Sequence, residues 1–161
     1  MEHILTRHKK FTFVLLPLIL LFAGVMPRSN VSAAEALQKQ EVNKVSFELM
    51  ECKLSGKSVN CIAYATSGDR DRGLKLAGYG NSKMYDDAGN VYQPKTLHIA
   101  NAEGPNSHGI GGMLISGVRT RLQLVFENVS TNARAVSRLD FKGKIDNKPM
   151  LVTFRNVPIT K

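Results

Sequence analysis

From Val45 onward the chain predicts an all-β domain, and three observations carry that reading. Apolar and polar residues alternate with a period of two. Gly, Asn, Asp, Ser and Pro interrupt the alternation about every 8–12 residues, the spacing of an all-β sandwich or barrel. No long helical period appears after Lys44. The predicted architecture over residues 45–161 is an antiparallel β-sandwich of about seven to nine strands, preferred over a barrel because the runs are short and unequal.

Ahead of that domain the sequence is laid out like a secretory leader. Arg7, Lys9 and Lys10 precede an apolar run from Phe11 to Met26, and Val31 and Ala33 supply small residues at the spacing signal peptidase requires. The run is shorter than the roughly 20 residues a membrane span needs. The expectation is a signal peptide over residues 1–33, with an uncleaved anchor as the alternative, and a mature chain starting at Ala34 without a transmembrane segment. The leader holds four of the 22 Lys+Arg and one of the 13 Asp+Glu, which leaves a mature net charge of +6. A basic exported protein favours anionic surroundings, although such a charge also serves plain solubility.

Residues 34–44 (AEALQKQEVNK) are polar and predict a flexible arm or short helix. VSFELMEC and SVNCIAYAT follow as two strands around a turn at Gly56-Lys57, with Cys52 and Cys61 placed symmetrically about it. Two cysteines in an exported chain read as a disulfide. With a two-residue loop they fall on a non-hydrogen-bonded pair, where Cα atoms approach to about 4.5 Å, within the range that a disulfide accepts. The same register puts Phe47, Leu49, Ile62 and Tyr64 on one face and Met50, Leu54, Val59, Ala63 and the cysteines on the other. The bulkier set is expected inside, which places the disulfide on the outer side of the hairpin.

Further along, GDRDRG is a charged loop and GLKLAGYG a short strand. KMYDDAGNVYQ is a hairpin, with Asp86 opening a type I turn and Gly89 in the left-handed position after it. KTLHIANAE turns Leu97 and Ile99 one way and His98 the other, and NAEGPNSHGIGGML is a loop in which pairing resumes near Met113. RTRLQLVFENV points Thr120, Leu122, Leu124 and Phe126 inward. ARAVSRLDFKGKI does so with Leu139 and Phe141, and PMLVTFRNVPIT with Met150, Val152 and Phe154.

The segments VSFELMECKLSGKSVNC, MYDDAGNVY and LVFENVS resemble immunoglobulin-like sandwiches of bacterial exported proteins, including those with a domain of unknown function of the DUF4352 kind. The resemblance implies an immunoglobulin-like fold and a binding or structural role, and it assigns no site residues. The chain departs from antibody domains in having no Trp and two closely spaced cysteines.

Catalysis finds little support. Both cysteines are expected to be paired, and no G-x-S-x-G elbow occurs. His98 and His108 read as exposed polar residues. His98, His108, Met84 and Met113 would suit copper by ligand type but match no metal spacing. Asp69, Asp71 and Gly73, or Asp86, Asp87 and Gly89, lack the later bidentate Glu of a calcium loop. No cofactor or metal is expected. The functional lead is a set of outward cations: Arg119, Arg121, Arg138, Lys142, Lys144 and Arg155. They form one anion-binding surface if their strands are neighbours, and split if the strands alternate between sheets. No aromatic residue is interleaved with them, so nucleic acid is not an expected partner. Three functions follow as expectations. The first is a non-enzymatic module, periplasmic or extracellular, that engages a protein or an envelope component. The second is binding of an anionic glycan, lipid headgroup or other polyanion through the basic face. The third is a small metal carrier or hydrolase.

Overall fold

The computed structural model describes residues 35–77, 81–105 and 108–161. The expected leader over residues 1–33 lies outside them. Among the described residues no helix is long and apolar enough to cross a membrane.

Among the described residues the domain is all-β, with twelve strands in one curled sheet. The first layer runs β1 (Gln38–Val42), β2 (Val45–Ser55), β3 (Ser58–Ser67), β10 (Thr120–Phe126), β7 (Pro94–Ile99) and β8 (Ala102–Pro105), each antiparallel to its neighbour. The second layer is organised around β11 (Ala135–Ile145), which pairs with β12 (Lys148–Thr160) along one edge. Its other edge is shared: β5 (Lys83–Asp86) takes the N-terminal half and β4 (Arg72–Leu76) the C-terminal half. β6 (Val91–Tyr92) extends β5, and β9 (Ile110–Leu114) extends β4. The layers are joined where Ile159 and Thr160 run parallel to Cys52 and Lys53. Asn156 sits at φ 53° just before that junction, and the left-handed residue breaks the alternation so that Val157 and Ile159 turn inward again.

Inward residues of both layers form one core, with Phe47, Leu49, Leu122, Leu124 and Phe126 from the first meeting Leu139, Phe141, Val152 and Phe154 from the second. The rings of Phe141 and Phe154 meet edge to face at 5.9 Å. β9 comes so close to the first layer that a Cβ on Gly112 would lie 2.8 Å from Ile99 Cγ2.

The first hairpin has the expected two-residue loop, with Gly56 at φ 61° and Ser55 opposite Ser58. Cys52 lies opposite Cys61, their Cα atoms 4.1 Å apart, and the two are disulfide-bonded. The faces differ from expectation. A bulge at Met50 lets Leu49 pair with Ala63 and Glu51 with Ile62. The extra residue shifts the phase of β2, so Phe47, Leu49 and Cys52 all point inward. Ala63 and Ala65 are fully buried on β3, whereas Ile62 and Tyr64 are half-buried on the outer face. β3 lies between β2 and β10, whose Phe47, Leu49, Leu122 and Leu124 already occupy the space between layers, so small residues fit there. The disulfide therefore lies in the core and not on the outer side of the hairpin.

The strand count exceeds seven to nine because three polar or glycine-rich segments pair. Residues 38–42 form β1 in place of a flexible or helical arm, and the stretch read as a loop contributes β8 and the start of β9. β1 reaches across to the second layer through side-chain amides. Gln38 donates to the Arg155 carbonyl and accepts from its N–H, and Gln40 does the same with Thr153. Each amide imitates a peptide group, so two glutamines at spacing two satisfy a stretch of β12 that no neighbouring strand covers. In the later hairpin the buried Asp86 accepts from Ala88 N, Asn90 N, Asn90 Nδ2 and Tyr92 Oη, and Gly89 takes φ 83°.

Two predictions follow from this packing. Replacing Cys52 and Cys61 together with Ala should leave the sheet spectrum native and lower stability by about 2–3 kcal/mol for a short loop of about ten residues, with a further loss from the core volume removed. Denaturant titration reads the change, and complete unfolding at room temperature would contradict a single cooperative core. Gly143→Ala should be worse than an ordinary surface Gly→Ala change. The added Cβ would lie 2.1 Å from the Lys75 carbonyl oxygen, so β4 must move away from β11, at a cost of roughly 1–3 kcal/mol or more.

Candidate anion-binding face

The outward side of the second layer carries a group of basic side chains. Along β11 the inward residues Leu139, Phe141 and Ile145 alternate with Arg138, Asp140, Lys142 and Lys144, which face out. β12 adds Arg155, β4 adds Lys75 and β5 adds Lys83. The strands of this layer contain no glutamate. Asp140 is the outward carboxylate, and it is buried between Arg138 Nη2 at 2.9 Å and Thr153 Oγ1 at 2.7 Å. The Asp140 hydrogen bond raises the Arg138 pKa further above its ordinary value, and the guanidinium also lies 5.7 Å over the Tyr85 ring. Arg138 is thus held in place, while Lys75, Lys142 and Lys144 make no ion pair with any described residue.

Lys75 stands directly opposite Lys144 in the β4–β11 ladder. Like charges in that position repel, by roughly 0.2–1 kcal/mol. At Lys142 the edge of β11 passes from one partner to the other. The Lys142 carbonyl accepts from Ala77 N, and its N–H donates to the buried Ser82 Oγ at 3.1 Å. The fork between β4 and β5 opens a pocket of about 430 Å³ bordered by Lys75, Lys142, Lys144, His108 and Asn81, with no carboxylate among its described lining residues.

The predicted cations are therefore divided. Arg138, Lys142, Lys144 and Arg155 share this face, and sequence reasoning missed Lys75 and Lys83. GLKLAGYG gave a strand but no pairing partner, so nothing placed Lys75 beside Lys144. Arg119 and Arg121 lie on the outer face of the first layer. Arg119 is bound to Glu48 at 3.1 Å and stacks over Tyr64 at 4.2 Å. Charges there are balanced: Glu41, Glu48, Glu51 and Glu103 accompany Lys39, Lys53, Arg119 and Arg121.

A second group of cations, at the end of the sandwich, is structural. The buried Arg72 donates to both oxygens of Asp69 at 2.9 Å and to Asp146 at 2.8 Å. Asp146 also accepts from Gly73 N and from Arg70, and Lys44 approaches Asp69 at 3.7 Å. Arg72 thereby ties the β3–β4 connection to the β11–β12 turn. The aspartates suggested as calcium fragments are otherwise engaged: Asp69 here, Asp71 on Ser116 N, Asp86 in its own turn and Asp87 on Arg134 N. Among the described residues no three His, Cys, Asp or Glu side chains converge as metal ligands. Met84 is in the core, whereas Met113 is on the surface.

No family model matches the chain, and no curated protein matches it.

The carboxylates give the fold a pH dependence. The Arg72 hydrogen bond lowers the Asp69 pKa. Burial would raise Asp146 and Asp86, but the Gly73 amide and Arg72 in the first case, and Asn90 with Tyr92 and Ala88 in the second, hold both below 3.8. A depressed folded-state pKa contributes stability above the unfolded value and loses it as pH falls through the folded one. The thermal midpoint should therefore hold steady down to about pH 4 and drop below it. Asp86→Asn should flatten part of that drop while lowering the midpoint at neutral pH.

Proposed function

We propose that this chain is an exported, non-enzymatic binding module that engages an anionic component of the cell envelope through the outer face of its second layer. The observation that carries the reading is charge segregation. Lys75, Lys83, Arg138, Lys142, Lys144 and Arg155 share one face on which, among the described strand residues, Asp140 is the one outward carboxylate, buried and paired, while the opposite face is balanced. Exposed lysines on a soluble surface are ordinarily interspersed with acids. The repelling Lys75–Lys144 pair disfavours the free fold and is relieved when an anion sits between them. The core disulfide suits an oxidising compartment, which agrees with export to the periplasm or outside the cell. The paired cysteines and the aspartates engaged in turns and loop contacts support a reading of binding.

Association with a soluble acidic polysaccharide such as dextran sulfate should be measurable and should weaken as salt rises. Changing Lys75, Lys142 and Lys144 together to Glu should reduce it by about a hundredfold, taking about 1 kcal/mol for each cation. Arg119→Glu with Arg121→Glu should leave it nearly unchanged. Equal losses in the two variants would show that net charge, not this face, governs binding.

A further inference from the structure

Beyond its charge, the same face carries exposed apolar side chains, and their placement narrows the class of partner. The large hydrophobics most exposed to solvent include Val91 at 53%, Met113 at 60% and Leu151 at 47%. All three project from the outer side of the second layer. Val91 pairs with the outward Tyr85, Met113 with Gly73 of β4, and Leu151 with Lys142. Leu37, Ile115 and Val118 lie in connections, so no strand of the first layer carries such a residue. On that layer the apolar Ile62 and Tyr64 are half-buried, and Arg119 covers the Tyr64 ring.

Across the second layer the order is Met113 on β9, Lys75 on β4, Lys142 and Lys144 on β11, then Leu151 on β12. Three inter-strand steps of about 4.8 Å, with a four-residue offset along the strands, set the two apolar residues roughly 20 Å apart with the lysines between them. A linear polyanion in water gains nothing from Met113 and Leu151. A bilayer with anionic headgroups satisfies both parts: phosphates meet the ammonium groups, and the flanking side chains enter the boundary between headgroups and acyl chains. Lysine stems add apolar length while their charges stay at headgroup level.

We infer that the outer face of the second layer docks on the surface of an anionic phospholipid bilayer, with Lys75, Lys142 and Lys144 on the headgroups and Met113 and Leu151 inserted beside them. The inference rests on the anion-binding reading above and adds the lipid surface as its ligand.

The chain has no tryptophan, so an introduced one reports alone. Met113→Trp and Leu151→Trp should each shift to shorter emission wavelength with phosphatidylglycerol vesicles and stay unchanged with phosphatidylcholine vesicles. Ile62→Trp, on the other layer, should not respond to either. Met113→Ser combined with Leu151→Ser should lower vesicle association by about tenfold and leave dextran sulfate binding intact, with an unchanged thermal midpoint showing that the fold is retained. If the serine pair binds vesicles as tightly as the parent, or the tryptophans at 113 and 151 show no shift on vesicles that do bind, bilayer docking is overturned and the anion-binding face survives. If the parent protein binds neither vesicles nor dextran sulfate, both readings fall.

Discussion

Burial of Leu139, Phe141, Val152 and Phe154 between the layers locks the register of β11 on β12, and that register turns the lysines outward. A slip of one residue would exchange faces, sending Lys142 and Lys144 into the core and the phenylalanines into water. An unpaired buried ammonium costs several kcal/mol, and each large apolar side chain left in solvent forfeits about 2 kcal/mol more. The basic face is thus as firmly specified as the core, because one alternation dictates both. β11 also serves as the seam of the second layer, with β12 along one edge and β5 and β4 sharing the other. The division at Lys142 makes the pocket, and Gly143 lets β4 approach closely enough to set Lys75 against Lys144.

Sequence reasoning read this alternation correctly along β10, β11 and the regular part of β12. The inward and outward residues of β10, β11 and β12 were legible, as were the Gly56-Lys57 turn, the Cys52–Cys61 pairing and the Asp86–Gly89 turn. It failed where a local irregularity shifted the phase. One extra residue at Met50 moved the disulfide from the surface to the core. Side-chain size then misled on β3, because the space inside was already filled by neighbours that only the strand order identifies. β1 was illegible for another reason. Gln38 and Gln40 look like solvated polar residues, and their role depends on meeting the uncovered backbone of β12, more than a hundred positions away.

The candidate site was half legible on the same grounds. That Arg138, Lys142, Lys144 and Arg155 face outward follows from period two. That they lie together, apart from Arg119 and Arg121, depends on pairing between distant strands. Lys75 shows the limit best. Its strand could be recognised, but its neighbour is 69 positions along the chain, where it meets Lys144.

The two cation clusters of this domain use the same residue types in opposite ways. Around Arg72 each guanidinium nitrogen donates to Asp69 or Asp146, and a planar guanidinium with fixed geometry suits a permanent clasp between loops. On the outer face of the second layer the charges are mainly lysines, compact and flexible, which hold a ligand as point charges without demanding one orientation. There the protein keeps two ammonium groups opposed and places Leu151 beside Lys142 without a carboxylate. A surface under selection for stability alone would exchange one of these lysines for glutamate and gain a cross-strand pair. Tolerating repulsion and exposed apolar area together makes sense where a partner removes both at once. A fluid, negatively charged surface does so without requiring the close shape complementarity that a protein partner would need.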